Sequence, residues 1–214
     1  MIPAGEIVNR IRIKYESESN VRWDDDSIMK SINEGLDDLS LETGFYERRV
    51  VLPIQADVQY YDLRGFTPET VLSLTAIYST SRRDWLAATT AEELDRFNPL
   101  WEQSEGDPVK YFTRGIYWFG VWPRGRSDTQ GFFWVYFRGL APHFTHPQSV
   151  LDDLPDDFVP ALEDYALYDL SAQDGMTDRA LRYWDSYKQR KERLAKFVDG
   201  RLSQAAFMRM GEQR

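Results

Sequence analysis

The sequence contains no cysteine. That one absence removes disulfides, thiolate nucleophiles and sulfur-ligated metal sites together, and it fits a reducing cytoplasm or a particle assembled there. Histidine is scarce, with only His143 and His146, both in one loop. No apolar run approaches the roughly 20 residues that a membrane-spanning helix requires. The start, Met1-Ile2-Pro3-Ala4-Gly5-Glu6, has no signal-peptide pattern. There is no internal repeat and no low-complexity tract. Basic charge is in deficit, with 26 Lys and Arg against 35 Asp and Glu, which argues against a general DNA-binding surface.

Aromatic side chains are plentiful instead: 7 Trp, 12 Tyr and 12 Phe in 214 residues. A chain of this length, 42% hydrophobic, can bury a substantial core and is not a disordered one. So much aromatic surface must be covered within the subunit or between subunits. Charge is distributed unevenly. Residues 179–214 hold ten basic and four acidic side chains, whereas residues 1–178 hold 16 and 31. An acidic body with a basic end suits contact with an acidic partner, against the simpler reading of a solvated helix face.

Periodicity changes twice along the chain. Ile7, Val8, Ile11 and Tyr15 line one side of a predicted first helix. Asp24 to Asp26 supply a cap and a negative first turn to a second, whose stripe is Ile28, Ile32, Leu36 and Leu39. Gly44 stands at the left-handed stop. From Phe45 the pattern is that of strands, predicted over 46–53, 58–63, 71–78, 109–113, 116–122 and 132–138. Arg114-Gly115 turns a hairpin, and a short helix over 91–97 follows the capping box at Thr90. Trp118 and Trp122 alternate with Phe119 and Val121, and Phe132, Trp134 and Tyr136 with Phe133, Val135 and Phe137. Strands apolar on both faces need cover on both faces, from helices, a second sheet or a neighbouring subunit. Helix resumes at Leu154-Pro155-Asp156-Asp157. A last helix, predicted over 176–198, loses its apolar stripe at Lys188-Gln189-Arg190-Lys191-Glu192-Arg193, where it would leave the core.

The expected fold class is therefore α+β: a helical bundle built from the two ends, with an antiparallel aromatic β domain inserted. The expected division is 1–44 with 151–198 as the bundle, 45–150 as the insertion and 199–214 as a C-terminal arm. Lys188, Arg190, Lys191, Arg193, Phe197, Leu202, Phe207 and Met208 are the candidate partner-binding residues of the last segment. Trp118, Trp122 and Trp134 are candidates for a subunit interface on the sheet.

Catalysis finds little to stand on. A Ser-His-Asp set would need His143 or His146, and there is no Gly-x-Ser-x-Gly elbow. Pairing these histidines with Asp152 or Asp153 gives only a weak metal pattern, and loop histidines explain them more simply. Asp24 to Asp26, Asp37-Asp38, Asp152-Asp153 and Asp156-Asp157 could in principle supply an acid and a base, but most stand where helix starts favour negative charge. Gly120 to Gly125 lacks the Lys-Ser/Thr of a phosphate loop. No catalytic, cofactor or metal residue is assigned. Two binding alternatives remain: a carbohydrate module using Trp118, Trp122 and Trp134 as a flat platform, and a nucleic-acid binder using Arg179, Arg182, Arg190, Arg193 and Lys196.

Several patterns together make the chain resemble the head-to-tail adaptors of tailed bacteriophages, especially tail-tubular-A-like members. They are Trp23-Asp24-Asp25 with Ile28 and Ile32-Asn33-Glu34-Gly35, then Thr43-Gly44, then Tyr60-Tyr61-Asp62-Leu63. Gly106-Asp107-Pro108 with Tyr111 and an aromatic strand ending at Pro123 follow, and Leu154-Pro155-Asp156, Phe158, Ala161-Leu162 and Tyr165-Ala166 close the set. The resemblance implies a dodecameric ring between portal and tail or nozzle. It implies a structural, non-enzymatic virion protein of the neck, assembled in the host cytoplasm, that extends the channel for genomic DNA. It also implies that the segment after about Tyr187 grips the portal.

Overall fold

The computed structural model describes residues 2–16 and 23–211, the last ten as backbone alone. The protein is α+β with helices at both ends, as the periodicity predicts. Two units emerge: residues 1–46 with 141–214, and residues 47–140.

The first unit is built from α1 (Ala4–Glu16), α2 (Asp25–Thr43), α4 (Val159–Gln173) and α5 (Thr177–Gly211). At the start of α2 the Asp24 carboxylate accepts the Ser27 N–H at 2.7 Å, and bonding from Ser27 holds its carboxyl below the usual range. Gly44 ends the helix at φ 59° and donates its N–H to the Ser40 carbonyl, a conformation that costs other residues a Cβ clash. Ile7, Ile11, Ile28, Ile32, Leu36, Leu39, Leu162 and Leu170 fill the core between the helices. The connecting segment contributes Ala141, Phe144, Leu151 and Leu154 to the same core.

Buried charge adds specific ties. On α4, Glu163 and Asp164 are adjacent in sequence and both buried. Glu163 pairs with Lys14 and Arg10 of α1, and Asp164 accepts from Arg190 and Ser186 of α5, each at 2.6 Å. A buried ion pair contributes little net stability, because desolvation offsets attraction, but leaving one partner alone is costly. Such pairs therefore fix which helix faces which.

The second unit is a β-sandwich. One sheet runs β1-β8-β3-β4, from β1 (Glu47–Pro53), β8 (Phe132–Gly139), β3 (Val71–Ser79) and β4 (Asp84–Trp85). The other runs β2-β7-β6-β5, from β2 (Tyr60–Asp62), β7 (Trp118–Trp122), β6 (Lys110–Arg114) and β5 (Ala87–Ala88). All pairings are antiparallel except β5 with β6. Leu52, Ile77, Phe133, Val135 and Phe137 of one sheet meet Tyr61, Tyr111, Phe119 and Val121 of the other. Tyr61 stacks on Phe119 at 5.2 Å and meets Phe133 edge-on at 5.3 Å. A second sheet thus covers the inner faces, one of the covers that two-sided strands required. On the outer face of the β7 sheet, α3 (Ala91–Phe97) and the 3-10 turn at Trp101–Gln103 form a further layer. Leu94, Trp101 and Phe112 are buried beneath it, against Tyr60 and Trp122.

Candidate assembly surfaces

The last helix was expected to quit its core at Lys188, and it does not. Tyr187 and Leu194 are fully buried and Val198 packs on the same cluster, so α5 keeps its stripe through the polar run. The reason lies on other helices. Arg190 Nε donates to Asp164, Lys191 Nζ donates to Asp38 Oδ2 at 2.9 Å, and the Tyr187 hydroxyl donates to the same Asp38 carboxylate. Lys191 also lies 5.2 Å from the Tyr187 ring and 5.9 Å from that of Trp184. Charged residues stay at the interface because their partners are there. Burial, and next the Asp38 carboxylate, push the Tyr187 phenol well above its ordinary range.

The candidate arm residues accordingly separate. Arg190 and Lys191 are committed within the unit, and Lys188 pairs with Asp185 at 2.8 Å. Arg193 is exposed. Phe197 is partly open, 5.4 Å from Phe158 and capped by Arg201 at 4.6 Å. The side chains of Leu202, Phe207 and Met208 lie outside the described ones. α5 runs on as one helix to Gly211 rather than ending near 198. The nucleic-acid set thins in the same way: Arg179 is buried with its guanidinium 4.2 Å over Tyr15, which leaves Arg182, Arg193 and Lys196 exposed.

The three tryptophans do not form a platform. Trp118 and Trp122 are on β7, opposite the inward Phe119 and Val121, whereas Trp134 is on β8, opposite the inward Phe133 and Val135. They therefore occupy the two opposite outer faces of the sandwich, and no flat ligand could lie across all three. Sequence alternation identified outward and inward residues correctly. It could not tell that the strands belong to different sheets.

The loop histidines have structural surroundings. His143 Nε2 is 2.9 Å from both Asp37 carboxylate oxygens. The next residue is held by Asn33, whose amide accepts the Phe144 N–H at 2.8 Å and donates to its carbonyl at 3.0 Å. Beside them is an open groove of about 410 Å³ lined by Met29, Lys30, Glu34 and Thr145 among others. Among the described residues no group of three or more His, Cys, Asp or Glu is placed to hold a metal.

A protein-family model described as SU10 adaptor protein matches residues 2–211, across both units. The chain belongs to the SU10 adaptor family. No curated protein matches it. SU10 adaptors are structural phage proteins of the head-tail junction, not a class of enzyme, so membership assigns this adaptor to the virion neck among portal and tail proteins. Among the described residues no helix is long and apolar enough to cross a membrane.

Proposed function

We propose that this adaptor forms a dodecameric ring between the portal and the tail or nozzle, and that the ring extends the channel through which genomic DNA passes. The observation that carries the reading is the family match over both the helical unit and the inserted sandwich. The tail-tubular-A likeness rests on the sequence patterns quoted above. The portal-gripping part of α5 is the portion beyond Val198, because Tyr187, Arg190, Lys191 and Leu194 before it are engaged by Asp164, Asp38 and the helical core. That portion carries Arg201, Arg209, Leu202, Phe207 and Met208, a mixture of cationic and apolar groups suited to an acidic, partly apolar partner. A basic end facing DNA would retard its passage, which favours the portal as its contact. Assembly in the host cytoplasm accords with the lack of cysteine.

Negative-stain imaging and native mass of the purified protein, alone and with the cognate portal, test the reading. Twelvefold rings in either condition are expected. A protein that stays monomeric in both would overturn it.

A further inference from the structure

The two outer faces of the sandwich are chemically unlike. That of the β1-β8-β3-β4 sheet is tiled with rings: Tyr78 lies 5.2 Å from Trp134 and 5.3 Å from Trp85, and Trp85 lies 5.5 Å from Tyr136. Their planes are inclined by 32°, 71° and 47° respectively, so the surface is faceted, a poor bed for a flat sugar or base. Arg49 is exposed with its guanidinium 5.0 Å from the Trp134 ring. Val51 and Phe132, 44% and 50% exposed, extend the apolar area.

On the opposite side, the α3 layer thrusts out Phe97 and Leu100, 77% and 61% exposed. Around them residues 91–107 expose six carboxylates (Glu92, Glu93, Asp95, Glu102, Glu105 and Asp107) and one cation, Arg96. Arg124 pairs with Glu105 at 2.7 Å, and Lys110 and Arg114 lie over the Trp122 and Tyr60 rings beside the layer. One face thus offers aromatic facets with a cation, and the other offers apolar projections ringed by carboxylates. Trp, Tyr, Phe and Arg are the residues that enrich interface cores. Complementary charge orients encounter and excludes wrong registers.

Two complementary faces set back to back on one body cannot be satisfied by a two-fold dimer. They satisfy each other head to tail, and such a contact closes into a ring when the rotation fits. We propose that the sandwich is a head-to-tail interface between copies of this chain: Phe97 and Leu100 of one copy seat on the Tyr78, Trp85, Trp134 and Tyr136 facets of the next, with Arg49 facing the carboxylates around α3. The inference rests on the ring reading and names the surfaces that build it.

The absence of cysteine makes the test direct. Phe97→Cys and Val51→Cys are made in separate full-length copies, both at exposed positions, then mixed and oxidised. A disulfide between unlike copies is expected, slowed by high salt because the steering charges are screened. A Phe97→Asp, Leu100→Asp double variant is expected to weaken self-association by about tenfold or more. Cross-links only between like copies, or none, overturn the proposal, and so does unimpaired assembly of the double variant. Particle mass separates this from the ring reading. Rings that lack the unlike cross-link sink the interface and leave the ring, whereas the cross-link in open chains keeps the interface and sinks the ring.

Discussion

Gly120 occupies the one place on β7 where the Phe112 ring can lie. A Cβ built there would stand 2.2 Å from Phe112 Cζ, far inside contact distance. The ring has no easy escape, with Trp101 edge-on at 5.3 Å and Tyr60 at 5.9 Å. Gly120→Ala is therefore expected to destabilise the sandwich by about 1–3 kcal/mol, the usual cost of overpacking. Denaturant unfolding checks this, and an unchanged midpoint would show that Phe112 has room to swing. Two tyrosines of the helical unit govern behaviour in alkali. Burial first, then the charges of Glu34, Asp169 and Asp38, push the Tyr165 phenol up to about 12, and Tyr187 is raised further in the same sense. A raised folded value means that the native state retains protons the unfolded chain has lost. The contribution is whole below about pH 10, the unfolded value, and declines as pH climbs through the folded one. Part of the tyrosinate absorbance is expected to appear only as helical circular dichroism is lost; titration of all tyrosines ahead of unfolding would contradict this. Of these residue details, the Asp24 cap and the Gly44 stop were legible in sequence because they act within a turn. The Asp38 and Asp164 pairings were not, since they join residues far apart in the chain.

At the scale of elements, α5 combines two roles along one continuous helix. Up to Val198 it belongs to the core; past that point Arg201 lies over the Phe197 ring at 4.6 Å, and the helix continues as backbone to Gly211. A chain shortened by residues 199–214 is expected to keep its melting behaviour and lose portal binding. Removing residues 188–214 also takes away Leu194 and leaves Asp164 and Asp38 with only the Ser186 and Tyr187 hydroxyls in place of their cations, and the buried leucine alone accounts for about 2–5 kcal/mol. Thermal or denaturant unfolding of the two truncations, compared with their portal binding, separates these roles. Equal stability of both would contradict the division. The helices and longer strands were readable from period and caps. β4 and β5 were not, because two residues carry no period, and β2 is shorter than the apolar run around it suggested. The course of α5 past Lys188 was not legible, because a charged run that reads as leaving the core for another protein has its carboxylate partners on α2 and α4.

For the whole molecule, the order of segments was legible and their association into layers was not. β8 pairs with β1 and β3, both distant in sequence, while β7 goes to the other sheet, and strands with two apolar sides are compatible with either arrangement. The proposed head-to-tail interface depends on this layer assignment, since it gives the sandwich two unlike sides. The same pairing has an effect on chain entropy. Glu47, the first residue of the insertion, is registered against Arg138, two residues from its end, so the inserted segment enters and leaves through one closed neck. Closing a long excursion between α2 and α4 would cost entropy that grows with the logarithm of its length. Once β1 and β8 are zipped, residues 47 and 138 are held together whatever the length of chain between them. Residues added to or taken from the loops between β1 and β8 then leave the closure entropy of the α2–α4 connection unchanged.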